Sequence, residues 1–169
     1  MDPALLLPSP DAIPVPWGWF QALLLFTFFC HILLMNVMLG TACIALAGHF
    51  GTGGERAAES HRLAGALPFT IAFAVNFGVA PLLFVQVLYG QFVYVSSILM
   101  ARFWLAVIAL LIASYSLAYL YKYRHDRLGG ARPLVIGLVT LLLAAIGFVY
   151  VNNITLMHQQ PGWTRYFDQ

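Results

Sequence analysis

The sequence predicts an all-α integral membrane protein, a bundle of four transmembrane helices with both termini periplasmic. Three observations predict it. The chain of 169 residues is 62% hydrophobic and only 8% charged, with a mean hydropathy of +0.85, whereas a soluble domain carries about 25% charged residues. Four apolar runs each reach the ~20 residues that a spanning helix needs. The lysines and arginines gather in two of the connections, which sets an orientation.

Residues 1–18 are expected to form an extended, proline-rich periplasmic tail. It holds Pro3, Pro8, Pro10, Pro14 and Pro16, lacks the basic start of a cleaved signal peptide, and reads as a retained segment ending at the aromatic anchors Trp17 and Trp19. The four-helix bundle is expected over 19–157. Its first run covers Trp19 to Ala47 and ends in the glycine-rich, charged loop "GHFGTGGERAAESHRLAG". The second covers Leu67 to Tyr89, with Pro68 in the first turn and Pro81 placed to kink the helix. A short link, "GQFVYVSS", leads to the third run, Ser97 to Tyr121. "KYRHDRLGGARP" follows, with Gly129 and Gly130 as breakers and Pro133 opening the fourth run, Leu134 to Met157. Residues 158–169 form a short periplasmic tail.

With four spans, the connections near 48–66 and 122–133 share one side. That side holds Arg56, Arg62, Lys122, Arg124, Arg127 and Arg132, six of the eight basic residues, so it faces the cytoplasm of a bacterial inner membrane. At ~1.5 Å per residue, His31 lies ~18 Å below the outer boundary and Asn76 at a comparable level. Gln86, Asn152, Asn153 and His158 come out near the outer boundary.

Several functions are excluded or disfavoured. No CxxCH is present for c-type haem, and Cys30 and Cys43 do not make a disulfide framework. The small net charge gives no sign of a nucleic-acid partner. There is no P-loop, HExxH or GxSxG, and the only glutamates, Glu55 and Glu59, lie in a loop, which disfavours a carboxylate-based proton pump.

The polar residues inside the spans remain. A histidine in hydrocarbon needs a reason. His31 can ligate haem iron, hydrogen-bond a neighbour such as Asn76, or relay protons. Met35 and Met38 follow at i+4 and i+7 on roughly the same face, and Gly40, Thr41, Ala42 and Ala45 supply small residues beside a flat ligand. His158 is offset by over ~10 Å along the membrane normal, so it cannot share one iron with His31. A haem here is five-coordinate, or capped by Met or by a partner subunit. His49, His61 and His125 are expected to be solvated. At the outer level Gln86, Gln91, Arg102, Asn152, Asn153 and His158 can either meet a quinone headgroup or serve interhelical hydrogen bonds, with Arg102 snorkelling.

Two blocks carry a family resemblance. "FTFFCHILLMNVMLGTACIALAGHF" resembles the first helix of the large subunit of cytochrome bd-type quinol oxidases, and "FAVNFGVAPLLFVQVLYGQF" resembles its next helix. "VNNITLMHQQPGW" is more loosely similar to a later helix end. The sequence also resembles short bacterial four-helix membrane proteins built on "HILxMNVMLG". The resemblance implies that His31 is an axial ligand of a b-type haem. It does not extend to the family's membrane glutamates, since the third run has no acid, nor to the helices carrying the low-spin haem ligands. Oxygen reduction by this chain alone is therefore not expected. The expected function is a membrane subunit of a multisubunit electron-transfer complex. It would exchange electrons between the quinone pool and periplasmic cytochrome c, with other membrane subunits as partners. The alternative is a cofactor-free anchor of such a complex. A transporter or channel would need a polar path through the spans, and too few charges lie there to make one.

Overall fold

The computed structural model describes residues 7–10, 12, 13, 15–51 and 54–166. Five α-helices follow one another: α1 (Trp17–Gly48), α2 (Gly54–Ala64), α3 (Leu67–Leu99), α4 (Ala101–Leu128) and α5 (Arg132–His158). Short 3-10 turns lie at Gly129–Ala131 and Gln160–Tyr166, and no strand occurs among the described residues.

Four of the helices are long, with 32, 33, 28 and 27 residues in α1, α3, α4 and α5. At ~1.5 Å per residue each is longer than a hydrocarbon layer of ~30 Å is thick. The continuous helical stretches Trp17–Gly48, Ala58–Leu99 and Ala101–His158 are long and apolar enough to cross a membrane. Large apolar side chains point outward along them, among them Phe26, Phe29, Ile98, Leu105, Leu141 and Phe148. A water-soluble bundle would hide such surface. Length, hydropathy and this outward apolar face mark a membrane protein.

Each boundary has a local cause. Pro68 and Pro133 occupy the first turns of α3 and α5, where a missing N–H costs nothing. Gly129 ends α4 with a positive φ of 49°, a conformation that side chains with a Cβ rarely adopt. Between α3 and α4 a single non-helical residue, Met100 (φ −102°, ψ 17°), makes the turn.

The most extensive contact is between α1 and α3, followed by α4 with α5. The main core lies towards the end where α2 sits. It joins Met38, Ala42 and Ala45 of α1, Ala64 of α2, Leu67, Ile71 and Ala74 of α3, Ala118 and Tyr121 of α4, and Ile136, Val139 and Leu143 of α5. Alanines at these contacts let the helix backbones approach closely, the usual packing solution where lipid supplies no hydrophobic drive. At the opposite end Val93, Ser96, Val107 and Asn153 are buried, and Trp163 of the final 3-10 turn folds back to donate its indole N–H to the Leu156 carbonyl at 2.8 Å.

The structure revises several sequence expectations. The loop after the first span contains a helix, α2. The glycines around it outweighed its amphipathic "ERAAESHRLA" in the sequence reading. The link "GQFVYVSS" is the last part of α3, because nothing after Gly90 breaks the helix before Leu99. The departure from helical dihedrals in α3 falls at Tyr89 (φ −131°, ψ 26°), not at Pro81, which is buried inside the helix. The Tyr89 hydroxyl donates a hydrogen bond to Gln21 Oε1 on α1, 3.0 Å long. In the N-terminal tail the described residues before Trp17 are not helical; Pro3 and Pro14 lie outside the described residues, as do the last three residues of the C-terminal tail.

Candidate functional site

His31 lies near the middle of α1, ~21 Å along the helix from Trp17. It is half-buried against α3. Two features of α3 hold its ring. The Ala74 carbonyl accepts a hydrogen bond from Nδ1 at 2.9 Å. Gly78, one turn further, leaves the space that the ring occupies: a Cβ at Gly78 would stand 2.8 Å from His31 Cε1 and 3.1 Å from Nδ1. Glycine is therefore required here by a close approach, not by a turn.

This arrangement fixes the chemistry of the imidazole. A ring that donates through Nδ1 to a carbonyl keeps Nε2 as its basic nitrogen. The buried polar atoms without a hydrogen-bond partner, among the described residues, are His61 Nδ1, Trp104 Nε1 and His125 Nδ1. Among the described residues, Nδ1 on the Ala74 carbonyl is the one side-chain hydrogen bond of His31, and none involves Nε2. Metal-ligating histidines are oriented in this way, with the second nitrogen tied to a carbonyl or carboxylate. The imidazole thus fits one axial ligand of a haem, which it would hold through Nε2.

The other residues of the expected cofactor site are placed separately. Met38 is buried in the core, only 3% exposed, beside Ala42 and Ala74, and Met35 packs half-buried against the same core. Asn76 does not meet His31. It is exposed, and its amide turns back to the Ala72 carbonyl at 2.8 Å.

The outer-level polar residues are only partly gathered. Asn153 is buried and donates to Ser97 Oγ at 3.1 Å, tying α5 to α3. Asn152 and His158 bond carbonyls of their own helix, Phe148 at 2.7 Å and Ile154 at 2.8 Å, and His158 is exposed. Gln86 and Gln91 are half-buried on α3. The exposed Arg102 lies over the Phe103 ring at 4.8 Å.

A second polar cluster was missed by sequence reasoning. His49, at the end of α1, shares a 2.6 Å hydrogen bond between Nε2 and the Tyr121 hydroxyl of α4. The rings of His61 of α2 and His125 of α4 lie with centroids 3.7 Å apart, tilted by 38°, and Tyr121 meets His125 edge-on at 5.1 Å. Ser60 of α2 donates to the Ala45 carbonyl of α1. Arg132 donates through Nε to the His125 carbonyl at 2.9 Å. The three histidines were expected to be solvated, and the structure corrects this by packing all three around Tyr121, which is fully buried. The available signal was topological: both connections lie at the same end of a four-helix arrangement, and each carries histidine beside a helix end.

No group of three or more histidine, cysteine, aspartate or glutamate side chains is placed to hold a metal ion among the described residues. No protein-family model, curated protein or solved structure matches this chain.

Proposed function

We propose that the chain is a four-span membrane subunit of a bacterial electron-transfer complex that offers His31 as an axial ligand to a b-type haem. The observation that carries this reading is the held imidazole: Nδ1 on the Ala74 carbonyl, ring against Gly78, and Nε2 without a protein hydrogen bond. Haem supplies one-electron transfer when bound. This chain's own part is to fix the tautomer, orient the ring and surround it with apolar side chains.

A haem held by His31 would need a second ligand, if any, from outside this chain, and another membrane subunit would supply it. Both termini face the periplasm and α2 faces the cytoplasm, in keeping with the six basic residues near that end. Quinone and a periplasmic cytochrome c are the redox partners of this reading. Of the outer-level residues, Gln86 and Gln91 lie on α3 together with Tyr89.

The test is a set of reduced-minus-oxidised spectra of the complex purified from its native host, with His31, His49 and His158 each replaced by alanine. Loss of a b-type signal in His31→Ala alone supports the reading. Wild type without such a signal, or His31→Ala retaining it, leaves the cofactor-free anchor. In that reading the His31–Ala74 hydrogen bond only ties α1 to α3.

A further inference from the structure

The clustered histidines use no part of the haem reading, and they sit where α2 meets the bundle. We propose that His49, His61 and His125 form a pH-operated latch, which holds α2 on the bundle at neutral pH and releases it on acidification.

The geometry supplies both halves of the device. α2 is attached through Ala64 in the core, Ser60 on the Ala45 carbonyl, and the His61 ring close against that of His125. Beside this contact a cleft of about 330 Å³, lined by Ala47, Gly48, Ser60 and Leu63 among others, lies between α2 and the last turn of α1. Release is driven by charge. Two imidazolium rings with centroids 3.7 Å apart repel strongly, and the buried Nδ1 atoms of both rings have no acceptor to receive an added proton.

The groups facing the cluster do not cancel that repulsion. From α1 comes His49; from α2, His61 and the neutral Ser60; from α4, Tyr121, His125 and Asp126; from α5, Arg132. Among the described residues the only acid facing the cluster is Asp126, whose side chain is fully exposed and 3.8 Å from Arg132. Glu59, Arg62, Lys122, Arg124 and Arg127 are exposed. Burial, and next Arg132, hold the His49 imidazole below its ordinary value of 6.5. Burial lowers His125 likewise, with His61 and Arg132 adding to it and Asp126 opposing. A histidine that is harder to protonate when packed gives stability that is complete above the ordinary value. That stability is lost as the pH falls through the lowered one. The latch therefore holds above about pH 6.5 and opens on acidification.

The experiment is amide hydrogen exchange of the full-length chain in lipid nanodiscs, corrected for intrinsic rates, between about pH 8 and pH 5. The expected result is roughly a tenfold or larger loss of protection in α2 at low pH, with α1 and α5 near mid-membrane unchanged. The double variant His61→Gln/His125→Gln is expected to keep α2 protected at low pH. Should that variant fail to assemble, His49→Gln read in the same way is expected to shift the loss to lower pH. Protection of α2 in the wild type that does not change with pH overturns the latch. So does a low-pH loss of the same size in the variants.

Discussion

One histidine in this molecule stands alone among apolar side chains, and three stand together at one end. Among the described residues His31 has a single side-chain hydrogen bond, to a backbone carbonyl through Nδ1. His49, His61 and His125 contact one another through Tyr121, and two of their nitrogens are buried without a partner. The first arrangement keeps one basic nitrogen available to an external electrophile such as iron. The second keeps protons out and is strained by each one that enters. The same side chain is proposed as a ligand in one setting and as a sensor in the other. Neighbours decide which, since imidazole titrates close to neutrality and small changes of surroundings select its form.

The largest expected effect breaks the comparison at His31. His31→Ala removes the b-type absorbance of the complex entirely, whereas His49→Ala, His61→Ala and His125→Ala leave it intact, as read by reduced-minus-oxidised spectra. Gly78→Leu should act nearly as strongly without touching the ligand. Its Cβ alone would stand 2.8 Å from Cε1, so the ring must leave its seat. The expected outcome is loss of most haem from an assembled bundle, seen as a lowered haem-to-protein ratio at unchanged yield.

At the other cluster the effects are on stability. Tyr121→Ala empties a fully buried position shared by α1, α2 and α4 and should cost about 3–5 kcal/mol, measured by thermal unfolding in detergent. Tyr121→Phe keeps the ring and loses only the hydrogen bond to His49, which should cost about 1 kcal/mol. A Phe variant as damaging as Ala would show that the hydroxyl, not the ring, organises the cluster. Smallest is Asn153→Ala. It removes the bond to Ser97 and should cost roughly 0.6 kcal/mol, the average for interhelical hydrogen bonds in membranes, with haem content unaffected.

The apolar runs and the prolines at helix starts were legible in the sequence, because lipid imposes composition residue by residue and proline acts locally. His31 stood out for the same reason: a titratable group in a long apolar run is conspicuous wherever the chain folds. Its partner was not. Asn76 has the right chemistry and a comparable depth, yet the rotation of α3 turns Asn76 outward and brings Ala74 and Gly78 to the ring. A backbone carbonyl carries no residue type, so no sequence pattern announces it. α2 and the histidine cluster were hidden in another way. Their residues are polar, separated by up to 76 positions between His49 and His125, and lie in segments that composition alone marks as loops. The sequence determined that the helices form and belong in a membrane. Only the tertiary structure decided which faces meet, because helix rotation and docking depend on contacts between residues far apart in the chain.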